Sequence, residues 1–148
     1  MYTSFDFKEN IVLENERVLL RPLLSTDISL LVSYVTEEPD LWNYSLSSIQ
    51  TKEDLENYIQ SALAARENKT AYAFIVFDKK INAFVGCTRF YDIQLSFQTT
   101  QIGYTWYSKK VWGTRLNENC KLKNARLTYL KFCNLKFTFC NVDRKSTR

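Results

Sequence analysis

The chain has 148 residues, a length that fits one domain. Hydrophobic residues make up 45% of the chain, which is enough to form a packed core. Charged residues make up 24%, an ordinary share for a globular protein, so the composition excludes a disordered protein. No apolar run approaches the roughly 20 residues needed to span a bilayer, and the first residues lack the pattern of a secretion signal. We therefore expect a cytoplasmic protein with no membrane partner.

The sequence contains no histidine, which excludes Ser-His-Asp and Cys-His catalytic sites and zinc sites with histidine ligands. Its four cysteines are Cys87, Cys120, Cys133 and Cys140, and they form no Cys-x-x-Cys pair. We predict that they are reduced and packed as small apolar residues, and that the chain binds no metal.

The charge is divided along the chain. Residues 1–75 carry six Lys/Arg and twelve Asp/Glu, a balance of −6, whereas residues 76–148 carry fourteen and four, a balance of +10. A basic half suggests an anionic ligand and an acidic half a cationic one. Two solvated faces would give the same pattern, so the division alone assigns no function.

The first half of the chain predicts one strand and two helices. The strand covers residues 16–21 and ends at Pro22, which cannot continue a ladder. A first helix follows, capped within residues 25–27. A second helix has apolar residues at helical spacing and runs from its cap at Thr51 to Asn68.

The second half predicts three strands, over residues 72–77, 83–92 and 99–107. Gly86 lies inside the second of these and marks a place where something comes close to the backbone. A helix capped by Thr114 or Asn117 then runs to about Cys133, before a last strand over residues 136–142. This order of elements predicts a mixed sheet with at least one parallel pair.

Three stretches of the chain carry a family resemblance. They are Leu19-Leu20-Arg21-Pro22 with Asp27, the segment 85–92, and, most specific, Ile102-Gly103-Tyr104-Thr105-Trp106-Tyr107 leading to Trp112-Gly113-Thr114-Arg115-Leu116-Asn117. With the strand order, they resemble the GNAT acyltransferases, and within them the RimJ/RimL-like N-acetyltransferases, from about Glu14 to Asp143. The resemblance implies an α+β fold, with a mixed, largely antiparallel central sheet and helices on both faces.

The resemblance also implies that the chain binds acetyl-CoA. Backbone groups near Thr105 would pair with the pantetheine arm, and one N–H group there would polarise the thioester carbonyl. N–H groups at the start of the following helix would point at the pyrophosphate, a position that suits an anion. Lys109 would add positive charge, and the implied cofactor-binding residues are Thr105, Trp106, Tyr107, Lys110, Trp112, Gly113, Thr114, Arg115, Leu116 and Asn117.

The chain departs from the family pattern at three places. Arg115 replaces the second small residue of the loop, which would cost about 1 kcal/mol if its φ is positive, although the guanidinium could pair with a phosphate. Residues 121–126 are polar where relatives are apolar. After Asp143 the family's further helix and strands do not follow. We therefore expect one domain over residues 1–148, incomplete at its C-terminus, with an exposed edge strand that could form a homodimer.

Without histidine, the base that receives the amine proton would be a carboxylate acting through water or a tyrosine. Asp92 and Tyr104 are the candidates, although Asp92 also suits a turn and Tyr104 a packed aromatic. Cys87 could face the acetyl group, but we interpret it as a packing residue because direct attack needs no covalent cysteine.

The acceptor wall implied by the resemblance lies between the first two helices. Its candidate substrate-binding residues are Glu37, Trp42 and Tyr44, together with Glu38. Acidic and aromatic side chains there would suit a cationic amine such as a peptide N-terminus or a polyamine. A solvated acidic loop, with Trp42 covering the core, explains the same residues.

We therefore predict an acetyl-CoA-dependent N-acetyltransferase that transfers the acetyl group to a primary amine by direct attack. One alternative is a non-catalytic remnant with weak or no CoA binding. Another is a basic nucleic-acid-binding module built on Lys121, Lys123, Arg126 and Lys131. This last alternative ranks lowest, because those residues do not share one helical face and no stacking aromatic accompanies them.

Overall fold

A computed structural model describes residues 5–42, 48–97 and 99–123, and the backbone of residues 136–139. The strands are β1 (Leu13–Glu14), β2 (Val18–Pro22), β3 (Tyr72–Asp78), β4 (Ala83–Gln94), β5 (Thr99–Tyr107) and β6 (Lys136–Phe139). The helices are α1 (Ile28–Glu37), α2 (Lys52–Glu67) and α3, which begins at residue 116 and is described to residue 123. None of the described helices is both long and apolar enough to cross a membrane.

The six strands form one sheet in chain order, from β1 to β6. Neighbours from β1 to β5 are antiparallel, and β5 and β6 are parallel, which confirms the predicted mixed sheet. The pairing of β5 with β6 covers Thr99–Ile102, so the rest of β5 extends beyond the last described residue of β6.

Each face of the sheet carries its own hydrophobic cluster, because successive strand residues point to opposite faces. On one face, α1 and α2 pack against residues such as Ile75 and Trp106. On the other face, the N-terminal segment around Phe5 and the start of α3 pack against residues such as Phe74. The structure thereby confirms helices on both faces of a mixed sheet.

Helix α2 matches its prediction closely. The hydroxyl of Thr51 accepts a hydrogen bond from the N–H of Asp54, and the Asp54 carboxylate accepts one from the N–H of Thr51. This reciprocal capping box starts the helix, and Asn68 ends it as predicted. Helix α1 differs, because the Asp27 carboxylate accepts no hydrogen bond from the first turn of α1; it accepts one from the N–H of Leu24 at 2.8 Å and pairs with Arg21 at 2.7 Å.

Candidate functional site

Strand β5 contains a bulge near its middle. Arg89 of β4 pairs with Gly103 and Cys87 pairs with Trp106, so two residues of β5 lie between these pairs where β4 has one. Tyr104, the first of the two, has a φ of 49° in the left-handed region. A bulge of this kind bends the strand and interrupts its ladder, and bulges are frequent next to active sites.

At Gly86 the backbone of β5 lies very close to that of β4. A Cβ atom at this position would lie 2.0 Å from the carbonyl oxygen of Trp106, which is closer than any real contact. The predicted close approach at Gly86 is confirmed, and the group that approaches is the backbone of β5 itself. Glycine here allows β4 and β5 to stay paired beyond the bulge.

The loop after β5 turns sharply into α3. Gly113 has a φ of 74° and Arg115 has a φ of 67°. Arg115 therefore adopts the positive φ that was expected to make an arginine destabilising at this position. Helix α3 begins at residue 116, which makes the predicted caps Thr114 and Asn117 wrong by one or two positions. Local turn geometry, rather than a side-chain cap, starts this helix.

Four backbone N–H groups at this turn have no hydrogen-bond acceptor in the described ranges: those of Gly113, Arg115, Leu116 and Asn117. The first N–H groups of a helix lack partners inside the helix, and the helix dipole makes this end positive. The turn therefore presents a group of donors that fits a bound phosphate. We refer to residues 112–117 as the cradle.

Arg17 holds the cradle in place. Its Nη1 donates to the carbonyl of Thr114 at 2.8 Å and its Nη2 to the Thr114 hydroxyl at 2.9 Å, while its Nε donates to the buried carboxylate of Asp78 at 2.9 Å. The indole of Trp112 also donates to the carbonyl of Tyr107 at 2.9 Å. No local sequence pattern indicates this role for Arg17, because its partners lie 61 and 97 residues away.

The predicted lysines differ from Arg115 in their contacts. The ammonium of Lys109 pairs with Asp40 at 2.9 Å, and that of Lys110 lies 5.2 Å from the centre of the Tyr34 ring. Arg115 is exposed, and its side chain makes no hydrogen bond or ion pair within the part of the chain described. Arg115 is therefore the cradle cation that stays available to a ligand.

Glu38 has a structural role. Its carboxylate accepts hydrogen bonds from the Ser108 hydroxyl and from the N–H of Lys109, both at 2.6 Å. These bonds tie the end of α1 to the end of β5. Glu38, which was expected at the acceptor wall, is thus engaged within the protein.

The side chains of Leu116 and Asn117 are buried, and they attach α3 to the sheet. The Tyr107 hydroxyl donates to Oδ1 of Asn117 at 3.0 Å. The Nδ2 of Asn117 is buried without a hydrogen-bond partner among the described residues. Cys120 is buried one turn later as a free thiol, and burial raises its pKa to about 12.

A cavity of about 320 Å³ lies between α2 and the bulge. Its lining residues are Ser48, Ile49, Asp54, Asn57, Tyr58, Ser61, Arg89 and Tyr104. The hydroxyl of Tyr58 donates to the carbonyl of Tyr104 at 3.3 Å, and burial raises the pKa of Tyr58. The candidate base Tyr104 therefore lies both at the bulge and in this cavity.

The structure does not bring Asp92 to the same place. Asp92 is exposed towards the end of β4, has a φ of 50°, and accepts hydrogen bonds from the amides of Gln94 and Gln101. It is absent from the lining of the cavity. Asp92 thus lies within strand β4, apart from the cavity.

The structure also places the residues predicted for the acceptor wall in different environments. Glu37 is exposed at the end of α1, whereas Trp42 is buried with its ring centre 5.0 Å from that of Trp106. Tyr44 lies outside the described residues. Cys87 is a buried free thiol in the cluster beneath the two helices, and burial raises its pKa. Trp42 and Cys87 therefore pack in the core.

Comparison with known proteins agrees with this geometry. The profile of the acetyltransferase (GNAT) domain matches residues 17–141, and a search of curated proteins finds no match. An acetyltransferase from Salmonella typhimurium, described as modifying the N-terminal serine of the ribosomal protein L7/L12, superposes with a TM-score of 0.75 at 15% identity, over 92% of this chain and 83% of that one.

Two further structures show the same fold. A GCN5-related N-acetyltransferase from Brucella melitensis has a TM-score of 0.73 at 16% identity, over 88% of this chain, which spans 61% of that one. The Microcin C7 self-immunity acetyltransferase MccE, solved with acetyl-CoA and AMP, has a TM-score of 0.71 at 17% identity, over 84% of this chain and 69% of that one. With the profile covering most of its length, the chain belongs to the GNAT acetyltransferase family.

Proposed function

We propose that this protein is an acetyl-CoA-dependent N-acetyltransferase that acts on a primary amine by direct attack. The observation that carries the proposal is the cradle, where four N–H groups that have no acceptor among the described residues lie at the positive end of α3, beside the bulged strand. MccE and RimL, two proteins of similar fold, were solved with acetyl-CoA and with CoA respectively. Family membership and the cradle therefore support the same ligand.

The cradle would hold the pyrophosphate. The N–H groups of Gly113, Arg115, Leu116 and Asn117 would donate to its oxygens, and the exposed Arg115 guanidinium would add a charge-assisted bond. Trp112 and Thr114 would act indirectly, since their side chains hold the loop against Tyr107 and Arg17. Lys110 lies beside the cradle and would add a weaker, solvent-screened attraction.

The bulged strand would place the acetyl group. Backbone groups of Thr105, Trp106 and Tyr107, on the edge of β5 that faces away from β4, would pair with an extended pantetheine arm. One N–H group of this segment would donate to the carbonyl oxygen under attack and stabilise the charge that develops there. Bound acetyl-CoA supplies an activated thioester.

The proton balance of the transfer needs an acceptor. The new N–C bond forms as the C–S bond breaks, and the amine gives up one proton, which ends on the leaving thiolate or in solvent. Tyr104 would relay this proton from the cavity, whereas Asp92 could act only through water. Cys87 would form no acyl-enzyme, because its buried thiol has a raised pKa and resists ionisation.

The test is acetyl transfer to a panel of primary amines, namely an amino acid, a short peptide with a free N-terminus and a polyamine, measured as release of the CoA thiol. We expect transfer by the wild type, and a loss of at least tenfold for Arg115→Glu, which places a carboxylate beside the phosphate in place of the exposed guanidinium. Gln60→Glu adds the same carboxylate on the exposed face of α2 and should leave transfer unchanged.

Binding of acetyl-CoA without transfer to any amine would contradict the proposal and favour the non-catalytic remnant. Steep, salt-dependent binding of RNA or DNA would instead favour the nucleic-acid module, of which Arg126 and Lys131 lie outside the described residues. A cytoplasmic location and a homodimer through the sheet edge at β6 stay predictions.

A further inference from the structure

Arg89 is a buried cation without an anionic partner in the described part of the chain. Arg89 is only 6% exposed. Among the described residues, its Nε has no hydrogen-bond partner and no carboxylate forms an ion pair with its guanidinium. Arginine cannot lose its proton in a protein, and buried charges are almost always paired. An unpaired buried guanidinium therefore indicates a place for an anion from outside.

Two aromatic rings orient this guanidinium. Its Cζ lies 4.3 Å from the centre of the Tyr104 ring and 5.1 Å from that of Tyr58. Stacking on aromatic faces stabilises the cation while it leaves the N–H groups at the edge of the guanidinium plane free to donate. Arg89 is thus held in position before any ligand binds.

Arg89 lines the cavity of about 320 Å³ together with exposed Ser48, Asn57 and Ser61, so the cavity reaches the surface. This volume suits a small molecule or the end of a peptide. Tyr104 lines the same cavity and lies at the bulge, where the acetyl group would be placed. A ligand bound to Arg89 would therefore lie next to the reacting atoms.

Two carboxylates of the elements around Arg89 are engaged elsewhere. Asp54 also lines the cavity, but its carboxylate accepts hydrogen bonds from the N–H groups of Gln50 and Thr51, which lower its pKa. Asp27 pairs with Arg21 at 2.7 Å. Neither carboxylate neutralises Arg89, while the negative Asp54 favours an ammonium group in the same cavity.

We propose that the cavity binds the acceptor and that Arg89 pairs with an oxyanion on it. This inference rests on the proposed acetyl transfer and names its substrate class: a primary amine that carries a carboxylate or a phosphate close to its nitrogen. Arg89 is a specificity residue in this assignment, because its guanidinium fork matches the geometry of both oxyanions. A purely cationic acceptor, such as a polyamine, is the competing outcome.

The test compares two acceptors that carry an anion with one that carries none. Alanine carries a carboxylate and alaninamide an uncharged amide, while phosphoethanolamine carries a phosphate. We expect kcat/KM for alanine or phosphoethanolamine to exceed that for alaninamide by about ten- to hundredfold, the usual effect of a hydrogen bond to a charged group. The better of the two anionic acceptors identifies the oxyanion.

Variants of Arg89 then test whether this residue causes the preference for anionic acceptors. Arg89→Gln should abolish the preference and change the rate with alaninamide much less. Arg89→Lys should restore part of the preference. Lys52→Gln, which removes an exposed cation at the start of α2, should preserve it. Thermal unfolding of each variant checks folding, and the wild-type comparison stands even if the Arg89 variants do not fold.

Transfer to alanine, phosphoethanolamine and alaninamide at equal rates, or a preference for polyamine, would overturn the inference and leave the proposed function intact. Absence of transfer to every amine would overturn the proposed function instead. In that case thermal stabilisation by alanine decides the inference. Stabilisation of the wild type but not of Arg89→Gln supports an oxyanion site, and no stabilisation overturns it.

Discussion

The cradle and the Arg89 cavity offer charge in different ways. The cradle is made of backbone N–H groups at a helix start, and the side chains around it mostly serve to hold the loop. The cavity depends on one buried side chain that α2 and the sheet surround. The first arrangement tolerates many sequences and suits a ligand common to a family, whereas the second can differ from member to member and suits an individual substrate.

The largest effect we expect on the cradle comes from Arg17→Ala. It leaves the carboxylate of Asp78 buried without its partner, and loss of one partner of a buried pair typically costs about 3–5 kcal/mol. Chemical denaturation of this variant measures the change, and acetyl-CoA binding should fall in whatever fraction still folds. Lys79→Ala, at the partly exposed ion pair with Glu14, should change stability by only about 0.5 kcal/mol or less.

We expect a smaller effect at Arg115, where two variants distinguish the cost of backbone strain from the contribution of the positive charge. Arg115→Gly should stabilise the fold by about 1 kcal/mol, because glycine adopts a positive φ without steric cost. Arg115→Ala keeps the strain and removes the guanidinium. Both variants should bind acetyl-CoA several-fold more weakly, and only the glycine variant should unfold at a higher temperature. Equal binding by wild type and both variants would exclude a role for the guanidinium.

The smallest effect concerns Asp54 beside the cavity. Hydrogen bonds from the N–H groups of Gln50 and Thr51 hold its pKa below the ordinary 3.8, so the ionised carboxylate stabilises the folded state. This contribution is complete above the unfolded-state pKa and disappears as the pH falls through the lower folded-state pKa. Asp54→Asn should therefore be less stable than wild type at neutral pH.

The difference in stability between wild type and Asp54→Asn should become smaller below about pH 4. Denaturation curves measured across the acid range test this. Glu53→Gln is the matched control, because the neighbouring Glu53 carboxylate accepts no hydrogen bond in the described ranges. If the free energies of unfolding of wild type and Asp54→Asn differed by the same amount at every pH, the stabilising role of the ionised Asp54 carboxylate would be contradicted.

Local signals predicted the parts of the fold that local chemistry decides. Thr51 and Asn68 bound α2 as expected, and β5 covers Thr99–Tyr107 without a shift. Gly86 was identified from its position inside a strand, because few other features demand glycine there. The start of α3 was misplaced, since two residues of positive φ, not a polar cap, form its turn.

The contacts that define the two sites arise from long-range packing. Arg89 meets Tyr58 across 31 positions of sequence, and Arg17 meets Thr114 across 97. A charged residue between Thr88 and Phe90, within residues 83–91 that are otherwise uncharged, was the one available signal for Arg89. Its lack of a carboxylate partner could be recognised only once the surrounding elements were in place.

The most direct test of the central claim is thermal unfolding with excess acetyl-CoA and, separately, with acetyl-pantetheine, which lacks the pyrophosphate. A ligand at 100 times its Kd stabilises the folded state by about 2.7 kcal/mol, which corresponds to several degrees. We predict such a rise with acetyl-CoA and little or none with acetyl-pantetheine at the same concentration. A cooperative transition that neither ligand moves, or that both move equally, would contradict pyrophosphate binding by residues 112–117.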